Sequence, residues 1–352
     1  MRILYGVQGT GNGHVTRART MQRAFKTRNI TVDYLFSGRD PDAFFDMACF
    51  GDYRHRAGLT FIVNRGRVDI LDTARHLRPM QFLRDVRELD LAPYDVILTD
   101  FEPVTAWAGK RAQKTVIGAG HQYAFHYDIP KAGNNPLASS IMRYFAPVDI
   151  ALGFHWHHFN QPILPPLFEP HQPTASNHTI VVYLPFEDTR TVCELFSQFP
   201  AQRFAVFSPE PITSEWSHIE VNPLSRDYFQ SQLAACDGVI CNTGFELISE
   251  ALQLGKKILS KPLHGQMEQL SNACALDELD LATIMPTLDR NTLTPWLAQP
   301  PGARLHYPDV ASAVADWLLA GNWHDPGTLS EALWSKTGFG VPLLSQPLTH
   351  TA

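Results

Sequence analysis

The stretch from Asp237 to Leu254 limits most tightly what this chain can become. Asp237-Gly-Val-Ile-Cys241 is a short apolar run with no charge after its first residue, as in a strand covered on both faces of a parallel sheet. Asn242-Thr243-Gly244 follows, and then Phe245, Ile248, Leu252 and Leu254 recur at helical spacing. A strand that turns through three small or polar residues into a helix leaves backbone N–H groups and a positive helix end at the carboxyl edge of a sheet. Phosphate is readily held there. A second strand, Lys257-Ile-Leu-Ser260, comes next, followed by Pro262-Leu-His264-Gly-Gln-Met-Glu268-Gln269-Leu-Ser-Asn272. The unit belongs to a layered α/β architecture.

The same alternation runs through the rest of the chain. In the first half, strands are expected at Arg2–Val7, Ile30–Ser37, Thr60–Asn64, Tyr94–Asp100, Thr115–Gly120 and Asp149–Phe154, with helices after His14 and over Thr73–Leu89. In the second half they are expected at Thr179–Phe186, Arg203–Ser208 and His218–Val221, with a helix over Tyr228–Ala235 and a late one marked by Val310, Val314, Trp317 and Leu318. Five prolines between Asn160 and Thr174 make a stiff, extended, non-helical connection between the halves. At 352 residues the chain is comfortable as two domains. The expected division is 1–158, a connector 159–178, a second domain 179–308, and a C-terminal helix and tail 309–352.

Hydrophobic residues make up 44% of the chain and charged residues 18%, enough to bury sizeable cores. A net charge of −6 without long like-charge blocks argues against nucleic acid as a partner. Five scattered cysteines without a Cys-x-x-Cys pair suit reduced thiols. The opening Met-Arg-Ile-Leu-Tyr-Gly-Val enters a strand at once and lacks a signal peptide's long apolar region, and no stretch of about 18 uncharged apolar residues occurs. A cytoplasmic protein is expected.

The order strand, Thr243-Gly244, helix with Glu250, strand, Pro262, Glu268-Gln269-x-x-Asn272 resembles the donor half of GT-B glycosyltransferases. It is most like the UDP-sugar-dependent branch of MurG-like, UDP-glucuronosyl- and plant glycosyltransferases, over roughly Asn222 to Leu281. In the first half, Gly9-Thr-Gly11-Asn12-Gly13-His14 places three glycines in five residues, where the backbone can turn sharply and approach a ligand. Its spacing is not the dinucleotide fingerprint. It resembles the G-x-G-G-H loop of MurG-like enzymes, which implies that His14 sits in the acceptor cleft as general base. Tyr94–Asp100 resembles the strand whose terminal Asp supports that histidine, an arrangement that favours the charged imidazole. Glu102 is the rival carboxylate, and the ordinary alternative for Asp100 is a helix N-cap before Pro103.

The resemblance implies two Rossmann-like domains facing across a cleft, the first for the acceptor and the second for a nucleotide-sugar donor. It implies backbone contacts from Thr243 and Gly244 to a diphosphate, with Asn242 in the same turn and His264 within reach. Glu250 would accept from ribose hydroxyls, Glu268 and Gln269 would bind sugar hydroxyls, and the segment from Asn222 would bracket the base. Gly11, Asn12, Gly13 and Arg17 would line the loop facing the diphosphate or acceptor. The alternatives are ordinary ones: a surface position for Glu250, first-turn helix charge for Glu268, and a helix-capping role for His14.

One departure stands out: Leu184-Pro-Phe-Glu-Asp-Thr189 replaces the Gly and Ser that relatives place against the donor phosphates. Arg17, Arg19, Arg23, Lys26 and Arg28 on the first helix read as a solvated face, and leave peripheral membrane contact open as the other reading. His155, His157 and His158 lack the cysteine or carboxylate partners of a metal site, so neither metal nor cofactor is expected. The reaction implied is inverting hexosyl transfer from a nucleotide sugar, UDP by resemblance, to a hydroxyl of a glycan, lipid or small molecule. The rivals are a UDP-sugar 2-epimerase and a non-catalytic nucleotide-sugar-binding protein.

Overall fold

A computed structural model describes residues 1–44, 46–59, 63–64, 67–68, 78–133, 136–169 and 171–339. Two sheets of six strands organise it. The first holds β1 (Arg2–Gln8), β2 (Thr31–Ser37), β3 (Arg54–His55), then β6 (Val96–Asp100), β7 (Val116–Gly120) and β8 (Ile150–Gly153), in the order β3-β2-β1-β6-β7-β8. Between them, β4 (Val63–Asn64) and β5 (Arg67–Val68) pair only with each other. The second sheet holds β9 (Thr179–Tyr183), β10 (Arg203–Ser208), β11 (Ile219–Pro223), β12 (Gly238–Asn242), β13 (Lys257–Lys261) and β14 (Thr283–Ile284), in the order β11-β10-β9-β12-β13-β14. Every pairing within both sheets is parallel.

In each sheet the strand order reverses once, between β1 and β6 and between β9 and β12. Ligands of open α/β sheets sit outside the carboxyl ends of the strands at such reversals. At these carboxyl ends, or in the turns and first helical turn that follow, stand His14, Asp100, Asp188 and Thr243.

The strands are buried on both faces, and alternate residues feed different cores. In β1, Ile3, Tyr5 and Val7 pack with Val15, Ala18, Met21 and Phe25 of the first helix, Asn12–Thr27. Leu4 packs instead with Val86 and Val104 on the other face. In β9 and β12, Val181 and Val239 join the same core as β1, whereas Ile180, Val182 and Ile240 pack with Phe196 and Trp296. The core shared by the two halves also takes Phe245, Ile248 and Leu252 of helix Phe245–Gln253, and Val310, Val314 and Leu318 of helix Val310–Ala320.

Helix Val310–Ala320 lies against the first helix, where Arg28 forks Asp316 at 2.5 and 2.7 Å. Helix Pro326–Trp334 follows, capped by Asp325 with Pro326 in its first turn, a start signal that the sequence carries and that went unread. It returns to the proline-rich connector, where Ser330 Oγ and Trp334 Nε1 both donate to the Ile163 carbonyl. Leu164, Leu167 and Phe168 of that connector are buried.

Two expected elements differ. The third strand of the first sheet is Arg54–His55, not Thr60–Asn64; Val63–Asn64 belongs to the β4–β5 hairpin, and 60–62 lie outside the described residues. The helix expected over Thr73–Leu89 is Pro79–Glu88, with 71–77 outside the described residues. Pro79 in the first turn explains that start, because proline lacks the N–H that an interior helical position would use.

Candidate active site

The first helix starts at Asn12 with Gly11 as its N-cap, so His14 stands in its first turn and Arg17 on the next. β6 lies beside β1 and ends at Asp100. His14 Nδ1 is 2.8 Å from Asp100 Oδ1. An ionised carboxylate only accepts, so Nδ1–H donates and Nε2 is left as the atom able to take a proton. Arg17 forks the same carboxylate, with Nε on Oδ2 and Nη2 on Oδ1, each at 2.7 Å. Its Nη2 also stands 3.0 Å from His14 Nδ1. Burial alone would raise the Asp100 carboxyl, but Arg17 and His14 reverse that and hold it below the usual carboxylate range. Burial likewise opposes the charge on Arg17, and Asp100 more than restores it.

The helix cap that competed for Asp100 is supplied by Glu102. Its carboxylate accepts from Val104 N at 2.8 Å, from Thr105 N at 2.7 Å and from Ser37 Oγ at 2.6 Å. Burial nevertheless raises its pKa. Asp100 is thereby free to face His14.

On the opposite sheet, β12 delivers Asn242, Thr243 and Gly244 to the start of helix Phe245–Gln253, whose N-cap Gly244 offers no side chain. Among the described residues a Cβ on Gly244 would meet nothing within 4 Å, so they leave space beyond the turn. The two backbone N–H groups expected on a diphosphate have internal partners here. Thr243 N donates to Gln269 Oε1 at 3.2 Å and Gly244 N to the Asn242 carbonyl at 2.7 Å. The uncapped first turn that follows is the better placed donor set. Gln269 Oε1 also accepts from Leu263 N at 3.0 Å, so that atom braces the loop in this conformation.

Asn242 Nδ2 donates to the Lys261 carbonyl, while its buried Oδ1 has no partner among the described residues, nor has the buried Nδ2 of Asn222. Glu250 is buried, accepts from Gln230 Nε2 at 3.1 Å, and burial lifts its pKa to about 7. His264 is exposed beside Gly265. Glu268 accepts from Gln122 Nε2 of the first half at 3.0 Å. In the atypical loop, Asp188 caps helix Thr189–Phe196, and Glu187 bonds Lys261 Nζ at 2.6 Å. The added negative charge is therefore spent on a cap and an ion pair.

The structure brings the two sets together. Glu246, in the first turn of helix Phe245–Gln253, takes Nη1 of Arg17. His121, at the end of β7, stacks on Phe245 with ring centroids 4.0 Å apart and planes 4° from parallel. Its Nε2 faces Asn272 Oδ1 at 2.7 Å, and Asn272 Nδ2 donates to the Thr243 carbonyl at 3.1 Å. Burial disfavours the charged form of His121. Glu246 and Arg39 were missed as site residues. Arg39 donates to Asn12 Oδ1 and the Thr10 carbonyl, against the glycine-rich loop. The signal for Glu246 was its first-turn position in the helix already singled out.

His155 is buried beside His121 and Trp156, with its pKa pushed well below the usual value by burial, while His157 and His158 pack against Trp334. Among the described residues no group of three or more His, Cys, Asp or Glu is gathered as a metal site, and no helix is long and apolar enough to cross a membrane.

A search of curated protein sequences returned no match. Solved structures do resemble this one. The glycotransferase of kitacinnamycin is 15% identical with a TM-score of 0.57, covering 95% of this chain and 97% of that one. MurG of Acinetobacter baumannii is 13% identical at 0.52, covering 91% and 99%. Spinosyn rhamnosyltransferase SpnG, solved with thymidine diphosphate, is 12% identical at 0.55, covering 95% and 100%. These likenesses establish the GT-B fold, two Rossmann-like lobes facing across a cleft. The sequence profile described as glycosyl transferase family 1 matches residues 1–301, which span both sheets and every residue of the candidate site, and the chain belongs to that family.

Proposed function

We propose that this glycosyltransferase moves a hexosyl-type sugar from a nucleoside diphosphate to an acceptor hydroxyl with inversion at the anomeric carbon. His14 Nε2 takes the proton of the acceptor hydroxyl while Asp100 orients the imidazole and stabilises its charged form. The acceptor oxygen attacks the anomeric carbon as the bond to the diphosphate breaks, a single displacement. The uncapped start of helix Phe245–Gln253 receives the charge that develops on the leaving diphosphate. Glu250 accepts from the ribose, Asn222 lies by the base, and Glu268 faces the sugar. Gln269 braces the loop through Thr243 N and Leu263 N. No protein-held metal enters this scheme.

The observation that carries the reading is the pairing of His14 with Asp100 at one strand-order reversal, directly across from the helix start at the other. SpnG was solved with thymidine diphosphate, so a nucleoside diphosphate fits this fold without fixing the base as uracil. Membership of a glycosyltransferase family favours transfer over epimerisation or simple binding. Membrane contact through the first helix is not part of the proposal: instead of the expected solvated basic face, Arg17 and Arg19 are buried, and Arg23 and Arg28 pair with Glu169 and Asp316.

The test is a thermal-shift screen with UDP, TDP, GDP and ADP and their glucose conjugates, followed by assay of nucleoside diphosphate release. One nucleotide is expected to raise Tm, because a ligand that binds only the native state stabilises it. His14→Ala should keep that shift and lose roughly two to four orders of magnitude in rate. A His14→Ala variant as active as the wild type would remove the base from the scheme, and a chain indifferent to all four nucleotides would remove the donor.

A further inference from the structure

We propose that Arg39, delivered by the first lobe, binds the phosphate of the donor that lies next to the sugar, and so replaces contacts that the loop after β9 does not offer. This rests on the reading of the second lobe as the donor lobe.

The positive groups around the proposed diphosphate position are already committed. In the loop after β9, Pro185 has no N–H to give, and Asp188 spends its carboxylate on the cap of helix Thr189–Phe196. Glu187 takes Lys261. Helix Phe245–Gln253 carries Glu246 in its first turn, an acid where an anion is to be received. Glu246 holds the Nη1 arm of Arg17, and Asp100 holds Nε and Nη2. Of these groups, two cations stand against four carboxylates, and both cations are paired. A diphosphate adds further negative charge, and an anion taken out of water without a partner is costly.

Arg39 is a cation not committed in this way. β2 ends at Ser37, and Gly38 follows with a φ of 84°, where a Cβ would stand 2.5 Å from Gln8 Nε2. That left-handed turn, open to glycine, lays the next residue against the glycine-rich loop. Arg39 Nη1 donates to Asn12 Oδ1 at 3.0 Å and reaches the Ala43 carbonyl at 3.5 Å, and Nη2 donates to the Thr10 carbonyl at 3.3 Å. The guanidinium lies 5.5 Å from the centre of the Phe44 ring. Among the described residues no carboxylate pairs with it, and its partial burial accordingly disfavours the charged form. A guanidinium has five N–H groups, so these contacts leave donors over for a ligand. Its planar fork suits the paired oxygens of a phosphate.

The position lies between the lobes. Tyr183, the last residue of β9, stands beside both Asn12 and Arg39, at the strand end from which the atypical loop departs. A Cβ on Gly9 would meet the Phe44 ring at 2.5 Å and one on Gly13 would meet Glu246 at 2.2 Å, whereas one on Gly11 would meet nothing within 4 Å among the described residues. The glycine-rich loop is thus closed by neighbours at both ends and leaves room at its middle. In the proposed donor pose the nucleoside belongs to the second lobe, through Glu250 and Asn222. The phosphate within reach of a first-lobe side chain is then the one that carries the sugar.

The experiment measures Kd by calorimetry on the full chain for a nucleoside diphosphate and its monophosphate, UDP with UMP or TDP with TMP as the wild type prefers. Arg39→Gln should lose about ten- to a hundredfold in affinity for the diphosphate, the range of one hydrogen bond to a charged group, and keep its affinity for the monophosphate. Arg39→Lys should fall between it and the wild type, because the charge stays and the fork is lost. If Arg39→Gln does not fold, the Arg39→Lys chain decides, since its preference for diphosphate over monophosphate must also shrink. An unchanged preference in the folded variants would overturn the inference. Both affinities falling together would mark Arg39 as a brace of the glycine-rich loop, and neither moving would mark it as idle toward the donor. A wild type that binds no nucleoside diphosphate would instead sink the donor reading, and this inference with it.

Discussion

Glu250 is a buried carboxyl whose ionisation works against the ligand-free fold. Its carboxyl is buried with Gln230 as its hydrogen-bond partner, and burial lifts its pKa from 4.5 to about 7. The folded chain therefore holds a proton that the unfolded chain releases. Stability contributed by this site is full below about pH 4.5, falls as pH rises toward 7, and levels off above that. Glu250→Gln keeps the size and the acceptor for Gln230 but cannot ionise. It should be more stable than wild type at pH 8, by about 3 kcal/mol as an upper figure for a shift of this size, and nearly equal to it at pH 4.5. Tm measured for both proteins at the two pH values checks this, and a constant difference would contradict it. An ionised carboxylate can accept hydrogen bonds from two hydroxyls, so under the proposed ribose contact the same substitution should weaken nucleotide binding above pH 7.

At the scale of elements, the carboxylates at the end of β6 divide their labour by geometry. Asp100 is the last residue of the strand and points along it to the first helix, whereas Glu102 folds back to cap helix Pro103–Arg111. Glu102→Ala should strand two N–H groups and two hydroxyls, at a cost of about 2–3 kcal/mol. The test is paired: Tm should drop by several degrees, while nucleoside diphosphate release by the folded variant stays near the wild-type rate. A loss of rate in the folded variant as large as that of Asp100→Ala would promote Glu102 to the role proposed for Asp100. The sequence left that choice open because both residues sit at the end of one apolar run, and only the direction of the turn separates them. Longer apolar runs were legible because strands buried on both faces carry unbroken hydrophobic stretches, as β6, β9 and β12 do. The short edge strand β3, Arg54–His55, has no such pattern and was displaced to Thr60–Asn64. Gln269 and Thr243 were legible as members of the site but not as partners of each other, since that bond joins residues 26 apart through a turn.

The whole molecule is held shut by contacts of unequal kind. The stack of His121 on Phe245 and the bond from Gln122 to Glu268 lie at the centre. Toward the connector, Arg226 of the second lobe binds both Glu169 and Asp46, the latter at 3.3 Å. Those two carboxylates also meet Arg23 at 2.5 Å and Arg19 at 3.6 Å, both on the first helix. Arg226 is thus the member of this network that ties helix Arg226–Ala235 to the opposite lobe. Its side chain is 28% exposed and Asp46 is 50% exposed, so that pair contributes less than about 1 kcal/mol in water. A difference of that size changes an open-to-closed ratio about fivefold without unfolding either lobe. Arg226→Ala should accordingly raise the radius of gyration seen by small-angle scattering in the ligand-free protein, and 0.5 M salt should do the same to the wild type, because exposed pairs are screened. A nucleotide that bridges the lobes should restore the wild-type radius in the variant. If the radius is unchanged by both substitution and salt, the apolar seam of Phe245, His121 and Trp156 holds the cleft by itself, and the donor must enter by local loop movement instead of lobe opening.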